Sequence, residues 1–341
     1  MRVRMRDDDA TRCFARRPSC SLATVVLVLA CVFAPQASAA DTIRVAVQKT
    51  GTLAWELAVI AHHRLGRQAD LNIETVQFAS PEAGKIALRG GSADIIVSDW
   101  LWVSRERRLG AKLAFYPYSS ALGAVMTPSG SSIRNLADLK GRKLAVAGGP
   151  IDKSWLLLQG AMKQDGVDLK TQATIVYGAP ALLAEKTLQG EMDATLNYWN
   201  FCANLEAKGF RRVAGMEDIL PKLGVKGRPA LIGYVFHEVW AAKNRDALAR
   251  FFAVTHRAKE ILAQSDSEWE RIAPLIKAPD GNTLKIYRGR YREGIPRRSV
   301  AEEAADAGIL YRVLAQLGGA DLVGPGAELA PGTFYQHPLG N

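Results

Sequence analysis

The stretch DLKGRKLAVAGGPIDKSWLLLQGAMK, Asp138–Lys163, decides the fold. Lys143–Ala147 reads as a short strand, Gly148-Gly149-Pro150 as the turn that ends it, and Ser154–Lys163 as the helix that follows. The same order continues downstream. Thr174–Tyr177 is a strand, Leu182–Leu188 a helix ended near Gly190, Asp193–Tyr198 a strand, and Phe201–Lys208 a helix stopped by Gly209. It also occurs upstream. Ile43–Val47 leads through Lys49-Thr50-Gly51-Thr52 into a helix over Leu53–Arg64, and Asn72–Phe78 precedes a helix over Pro81–Arg89. Asp94–Ser98 ends at Asp99-Trp100, and Leu113–Tyr118 and Ala121–Met126 add two more strands. Strands alternating with helices predict an α/β chain with mostly parallel sheets.

Thr127-Pro128-Ser129-Gly130 separates the two series. After Pro221 the pattern changes to a strand over Leu231–Phe236 and long amphipathic helices around Asp246–Gln264 and Val300–Leu317, with a Gly- and Pro-rich tail from Asp321 expected to lie irregularly on the surface. The expected organisation is two lobes, 41–126 with 215–341, and 127–214. The chain crosses between them near Val125–Pro128 and Gly215–Gly233. Two crossings make a hinge, and a cleft between lobes suits closure on a ligand.

Residues 1–40 read as a leader rather than fold. Six arginines precede an apolar run, Ser21–Ala34, followed by Pro35 and Ala37-Ser38-Ala39-Ala40. That order predicts a cleaved secretory signal peptide and an exported protein in an oxidising compartment, with a lipoprotein site at Cys31 as the lesser variant. The apolar run is too short to span a bilayer. Removing the leader takes away six arginines and three aspartates, lowers the net charge from +10 to +7, and leaves Cys202 as the remaining cysteine of four. An internal disulfide is thereby excluded, and stability must come from core burial. The basic clusters are short and scattered, which argues against nucleic acid.

Five of the seven tryptophans, Trp55, Trp100, Trp102, Trp155 and Trp199, fall where strands run out. Small ligands sit beyond the strand carboxyl ends of open α/β sheets. The indoles therefore predict an aromatic-walled slot that binds and releases one small solute. At the first strand tip, Lys49, Thr50, Gly51 and Thr52 offer hydroxyls and free N–H groups to an oxygen, with Trp55 behind them; helix capping is the plainer role of the threonines. At the third tip, Asp99 accepts a ligand N–H or pairs with Lys49, and Trp100 or Trp102 stacks on the solute. In the second series Gly149, Asp152, Ser154 and Trp155 occupy the equivalent turn. Asn197 and Trp199 add an amide and another wall, and Ser119 and Ser120 are further lining candidates. Lys49 and Lys153 are the only cations in these loops. The balance favours an organic solute with apolar or heteroaromatic surface, an amine among the options, and leaves a sulfonate open.

Three segments, LRGGSADIIVSD (Leu88–Asp99), IRNLADLKGRKLAVAGGP (Ile133–Pro150) and LLAEKTLQGEMDATLNYWNFCANLEAKGF (Leu182–Phe210), form an ordered series. The series resembles the periplasmic substrate-binding proteins of ABC importers, in the nitrate/sulfonate/taurine group that shares its fold with the thiamine-pyrimidine (THI5/NMT1-like) proteins. The resemblance covers most of Ile43–Phe236. It implies a type II periplasmic binding-protein fold, a monomer without cofactor, and delivery of a captured solute to a permease and ATPase on other chains. A small-molecule enzyme of the pyrimidine-synthase type and a periplasmic ligand sensor are the competing readings. Those enzymes carry a cysteine-rich CCCFC stretch where this chain has Asn197–Cys202, with one cysteine, which argues against catalysis. No P-loop, GxGxxG or GxSxG spacing occurs. His62 and His63 are adjacent on a helix, so they are expected to face different ways and to bind no metal.

Overall fold

The computed structural model describes residues 40–48, 51–78 and 80–336. The predicted leader, Lys49 and Thr50 lie outside the described residues. The chain opens with β1 (Asp41–Gln48), α1 (Leu53–His62), the single turn α2 (Leu65–Gln68), β2 (Leu71–Phe78), α3 (Pro81–Arg89), β3 (Ile96–Asp99), α4 (Trp100–Arg108) and β4 (Leu113–Ser119). A second series follows: β5 (Ala124–Pro128), β6 (Lys143–Ala147), α5 (Lys153–Gln164), α6 (Leu169–Gln172), β7 (Thr174–Gly178), α7 (Pro180–Leu188), β8 (Ala194–Asn197), α8 (Trp199–Ala207) and β9 (Phe210–Gly215). The last part holds α9 (Met216–Ile219), β10 (Ile232–His237), α10 (Glu238–Lys243), α11 (Arg245–Gln264), α12 (Asp266–Ile276), α13 (Gly281–Glu293) and α14 (Val300–Val323).

These strands pair as a two-stranded, a three-stranded and a five-stranded ladder, and a bridge joins the first two, which together are called the first sheet. In the first, β1 and β2 pair in parallel, a parallel bridge joins Val45 to Ile95, and β10 lies antiparallel between β3 and β4. The second has the order β7-β6-β8-β5-β9, with β6 parallel to both neighbours and β5 antiparallel to both of its own. Each sheet thus has one reversed strand, and in each it is the first strand laid down after the chain arrives from the other sheet. A chain arriving at the strand-tip edge must run away from it, so the reversal follows from the crossing.

Local chemistry sets the element ends. Asp99 caps α4, Asp152 caps α5 and Ser299 with Glu302 forms a capping box on α14. α4 is a helix where the sequence suggested only a strand tip, because the Asp99 carboxylate accepts the Trp102 N–H at 2.9 Å and starts the turn at once. Along α11 the buried residues Ala247, Leu248, Phe251, Phe252, Val254, Thr255, Ala258 and Leu262 keep helical spacing. Burying a phenylalanine as fully as Phe251 is worth about 1.5–3 kcal/mol. α14 packs on both α4 and α5, and one apolar cluster contains Trp100, Phe115, Leu144, Trp155 and Tyr311.

The tail is less irregular than its composition suggested. Phe115 N–H donates to Thr333 O and Tyr335 N–H to Phe115 O, both at 2.8 Å, so the segment covers the open edge of β4. Phe334 is buried edge-on against Phe115, at 5.0 Å between centroids. Among the described residues, no helix is long and apolar enough to cross a membrane.

Candidate ligand site at the strand tips

The tips of β1, β3, β4, β6 and β8 all precede loops or helix starts on the side where the chain crosses between sheets. Asp99 and Lys153 meet there. The Lys153 ammonium, at the start of α5 behind the second sheet, lies 3.2 Å from the Asp99 carboxylate at the end of β3 in the first. Burial pushes the Asp99 carboxyl up, but Lys153, the Trp102 N–H and Lys85 outweigh it and hold it below the usual carboxylate value. Asp99 in turn raises Lys153. The predicted acidic contact is therefore consumed by a cross-sheet ion pair and a helix cap.

The remaining predicted residues divide sharply. Gly51 and Thr52 are half-buried at the start of α1. The Thr52 hydroxyl caps nothing and lies 3.3 Å from the Tyr118 hydroxyl. Gly149 and Ser154 are half-buried at the turn before α5. Its neighbour Gly148 takes φ +91°, a region that requires glycine, with Asp152 and the Tyr198 hydroxyl packed close by. Asp152 caps α5 and accepts the Tyr198 hydroxyl at 3.4 Å. Burial raises its carboxyl, against the opposing pull of Lys153 and the capping N–H groups.

Four expectations are corrected. Trp100 is fully buried and its indole N–H donates to Ala230 O at 3.1 Å, so it anchors the second crossing from inside the core. Trp102 is half-buried against the edge of the same core, with Lys85 and Arg89 over its ring. Trp155 is 1% exposed in the same apolar cluster. Asn197 is also buried, and its amide is spent on Pro180 O and the Tyr198 N–H. Trp100 and Trp155 fall on the core-facing sides of α4 and α5, among the buried residues of those helices, which sends these indoles inward. Trp55 and Trp199 do meet, edge to face at 5.9 Å, and both abut Tyr287 and Tyr291 on α13, but Trp55 is itself buried in the core of the first sheet and Trp199 is the half-buried member of the pair. Cys202 is buried on the Asn197 and Ala124 carbonyls, and burial pushes its thiol up to about 12.

A concavity opens near the Trp199 side of this pair. A cavity of about 430 Å³ is lined by Ser120, Arg228, Arg292, Glu293, Ile295, Arg297 and Arg298. A narrow space of about 20 Å³ shares Ser120, Arg228 and Glu293 with it and reaches Trp199, Arg212, Glu217 and Arg290. Both links between the sheets contribute: Ser120 lies between β4 and β5, earlier than the crossing expected near Val125–Pro128, which proves to be part of β5, and Arg228 lies between α9 and β10. The scarcity of cations inferred from the loops is thus corrected: the arginines come from segments far along the chain. Arg292 pairs with Asp266, Arg298 with Asp306, Arg290 with Glu206 and Glu293, and Arg212 with Glu217. Arg228 and Arg297 are exposed and have neither hydrogen bond nor ion pair among the described residues. The wall is fixed in place by backbone bonds. Ser120 donates its N–H to Gly294 O at 2.9 Å, and a Cβ on Gly294 would stand 2.4 Å from that of Ala121.

Glu303 holds the other crossing. It is fully buried on α14 and accepts the Ala230 N–H at 2.6 Å. Burial pushes its carboxyl up to about 7, only partly offset by that N–H and Arg298. The folded chain therefore keeps a proton that the unfolded chain has released, and stability falls as pH rises from the ordinary glutamate value of 4.5 to about 7. A Glu303→Gln variant is expected to flatten that decline in urea midpoints measured across the same interval.

With this geometry the architecture is that of the type II periplasmic binding proteins. The aliphatic sulphonate binding protein SsuA of Escherichia coli superposes with a TM-score of 0.70 at 20% identity, covering 87% of this chain and 92% of that one. The alkanesulfonate-binding SsuA of Xanthomonas axonopodis pv. citri, bound to MOPS, gives 0.64 at 20% identity over 86% and 98%. The desulfurization enzyme DszB gives 0.56 at 13% identity over 82% and 92%, so the fold also carries catalysis. The NMT1/THI5 like family matches residues 67–268, more than half of the chain, and the protein belongs to that family. No curated protein matches it.

Proposed function

We propose that this protein is the solute-binding component of an ABC importer and that its solute is a small organic anion, with alkanesulfonates the first class to try. The observation that carries this reading is the arginine-lined cavity at the junction of the two crossings, with Arg228 and Arg297 unpaired among the described residues. A guanidinium matches the geometry of sulfonate or carboxylate oxygens with paired N–H donors. The apolar part of the solute lies toward Trp199, whose indole borders the adjoining space. Asp99 and Asp152 are occupied by Lys153, Tyr198 and their helix caps, which removes the main argument for an amine.

In this reading the parts built on the two sheets close over the solute, pivoting at 120–123 and 216–231. The Asp99–Lys153 pair and the Trp55–Trp199 contact then hold the closed form. The leader would deliver the chain to the periplasm, and a permease with its ATPase would receive the solute. The E. coli and Xanthomonas proteins, named for the sulfonates they bind, support the choice of solute class. Calorimetry with a panel of alkanesulfonates, amines and pyrimidines tests it, together with recovery of the bound compound. Sulfonate binding with the compound recovered unchanged is expected. Binding of amines alone would overturn the anion, and conversion of the compound would overturn the carrier.

A further inference from the structure

We propose that His62, His63 and Glu268 form a site for one divalent transition-metal ion, zinc being the best match, where α1 ends against α12. Their ligand atoms all lie within 4.8 Å of one another. Adjacent residues within a helix point about 100° apart, which is why the sequence argues against this pair. The helix, however, ends between them. His62 is the last residue of α1, and His63 is its C-cap, at φ −81° and ψ 1°. The two rings stand perpendicular with centroids 5.0 Å apart.

Glu268 reaches the histidines from a distant part of the chain. Ser265 caps α12 by accepting the Glu268 N–H at 3.2 Å, which fixes the glutamate in the first turn. Its two oxygens are divided. Oε2 takes Arg271 Nε at 3.0 Å and Nη2 at 2.7 Å, while Oε1 faces His63 Nε2 at 2.9 Å. The guanidinium thereby orients the carboxylate from behind, as outer-shell partners of metal ligands do. Oε1 is left for an ion, which would replace the His63–Glu268 hydrogen bond.

Two imidazoles and a carboxylate make a three-ligand zinc set with a fourth position for water. Imidazole nitrogen also suits copper and nickel, and disfavours magnesium and calcium. His62 is exposed and His63 half-buried, so the ion enters directly from solvent. α1 has ten residues, which puts the site roughly 15 Å from the Thr52 end of the helix. The ion therefore acts on the scaffold. It ties α1, which carries Trp55, to α12, whose Trp269 meets Trp55 at 6.0 Å between centroids.

The test uses untagged protein stripped with a chelator, titrated with Zn²⁺ by calorimetry and with Co²⁺ as a spectroscopic probe of tetrahedral ligation. One ion per chain is expected, with a rise of roughly 5 °C in Tm at a hundredfold excess over Kd. His62→Ala removes an exposed ligand without touching the core. It should leave the metal-free Tm unchanged and weaken Zn²⁺ by at least about tenfold, and Glu268→Gln should weaken it likewise. His256→Ala, at an exposed histidine beside Glu260, should leave binding intact. Failure to bind one equivalent, or equal affinity in His62→Ala, overturns the site and leaves a histidine–glutamate hydrogen bond only.

Discussion

If the proposed anion site is right, a double variant, Arg228→Ala with Arg297→Ala, is expected to bind the tightest sulfonate of the panel about a hundredfold more weakly than the parent, with no change in Tm. A hydrogen bond to a charged group contributes about 1.5–3 kcal/mol, and about 1.4 kcal/mol corresponds to a factor of ten. One lost guanidinium therefore costs roughly tenfold, and two cost roughly its square if they act independently. Stability is spared because neither arginine has a partner to abandon among the described residues. Arg298→Ala makes the contrast. It breaks the 2.6 Å pair with Asp306, so it should lower Tm as well as affinity. Calorimetry with the tightest sulfonate of the panel, at low and high salt, checks the expectation, and the salt dependence should shrink in the double variant. Undiminished affinity would move the site to the half-buried turns at Gly51–Thr52 and Gly149–Ser154.

The periodicity of the chain was enough to place most elements. Lys143–Ala147 and Pro81–Arg89 have the bounds their residues suggest, because Gly, Pro and capping side chains mark where each stops. The elements not foreseen share a cause. α4 begins with Trp100-Leu101-Trp102-Val103, which is apolar without clear period, and β9 reads FRRVAG, whose two arginines disguise a strand. The site was less legible. Strand tips can be located from sequence, so the neighbourhood of Ser120 and Trp199 came into view. The direction of a side chain cannot be located that way. Trp100 and Trp155 sit one and eight residues past their strands, and a difference of one position on a helix turns an indole from cleft to core. The arginines were invisible for another reason. Arg228 lies in a crossing and Arg297 in the link between α13 and α14, and only folding brings them to Ser120.

The same distance in sequence explains why the polar centre of the first sheet went unseen, although it supports the start of α1. Lys259 on α11 donates to Glu56 Oε1 at 2.5 Å, and the Tyr291 hydroxyl from α13 donates to the same oxygen at 2.5 Å. The ammonium also stands 3.9 Å from the centre of the Tyr118 ring, whose hydroxyl meets Thr52. Glu56 is wholly buried and Lys259 nearly so. A Lys259→Met variant keeps most of the side-chain volume but leaves Glu56 as a buried carboxylate without its counter-charge. Breaking such a pair costs about 3–5 kcal/mol, an effect that a urea titration would read as a lower midpoint with unchanged slope. Adding Glu56→Gln should recover part of the loss, since the remaining buried group is then neutral. The pH dependence separates charge from packing. Burial lowers the Lys259 pKa despite Glu56, so just below the ordinary lysine value of 10.5 the unfolded chain binds the proton more tightly than the folded one. The contribution of Lys259 to stability must then rise with pH through that interval, against the fall contributed by the buried hydroxyls of Tyr118, Tyr234 and Tyr291, which burial raises, so the rise is read as the difference between parent and variant. The parent should gain on Lys259→Met as pH rises; if the two run parallel, the lysine is held there for its hydrocarbon chain alone.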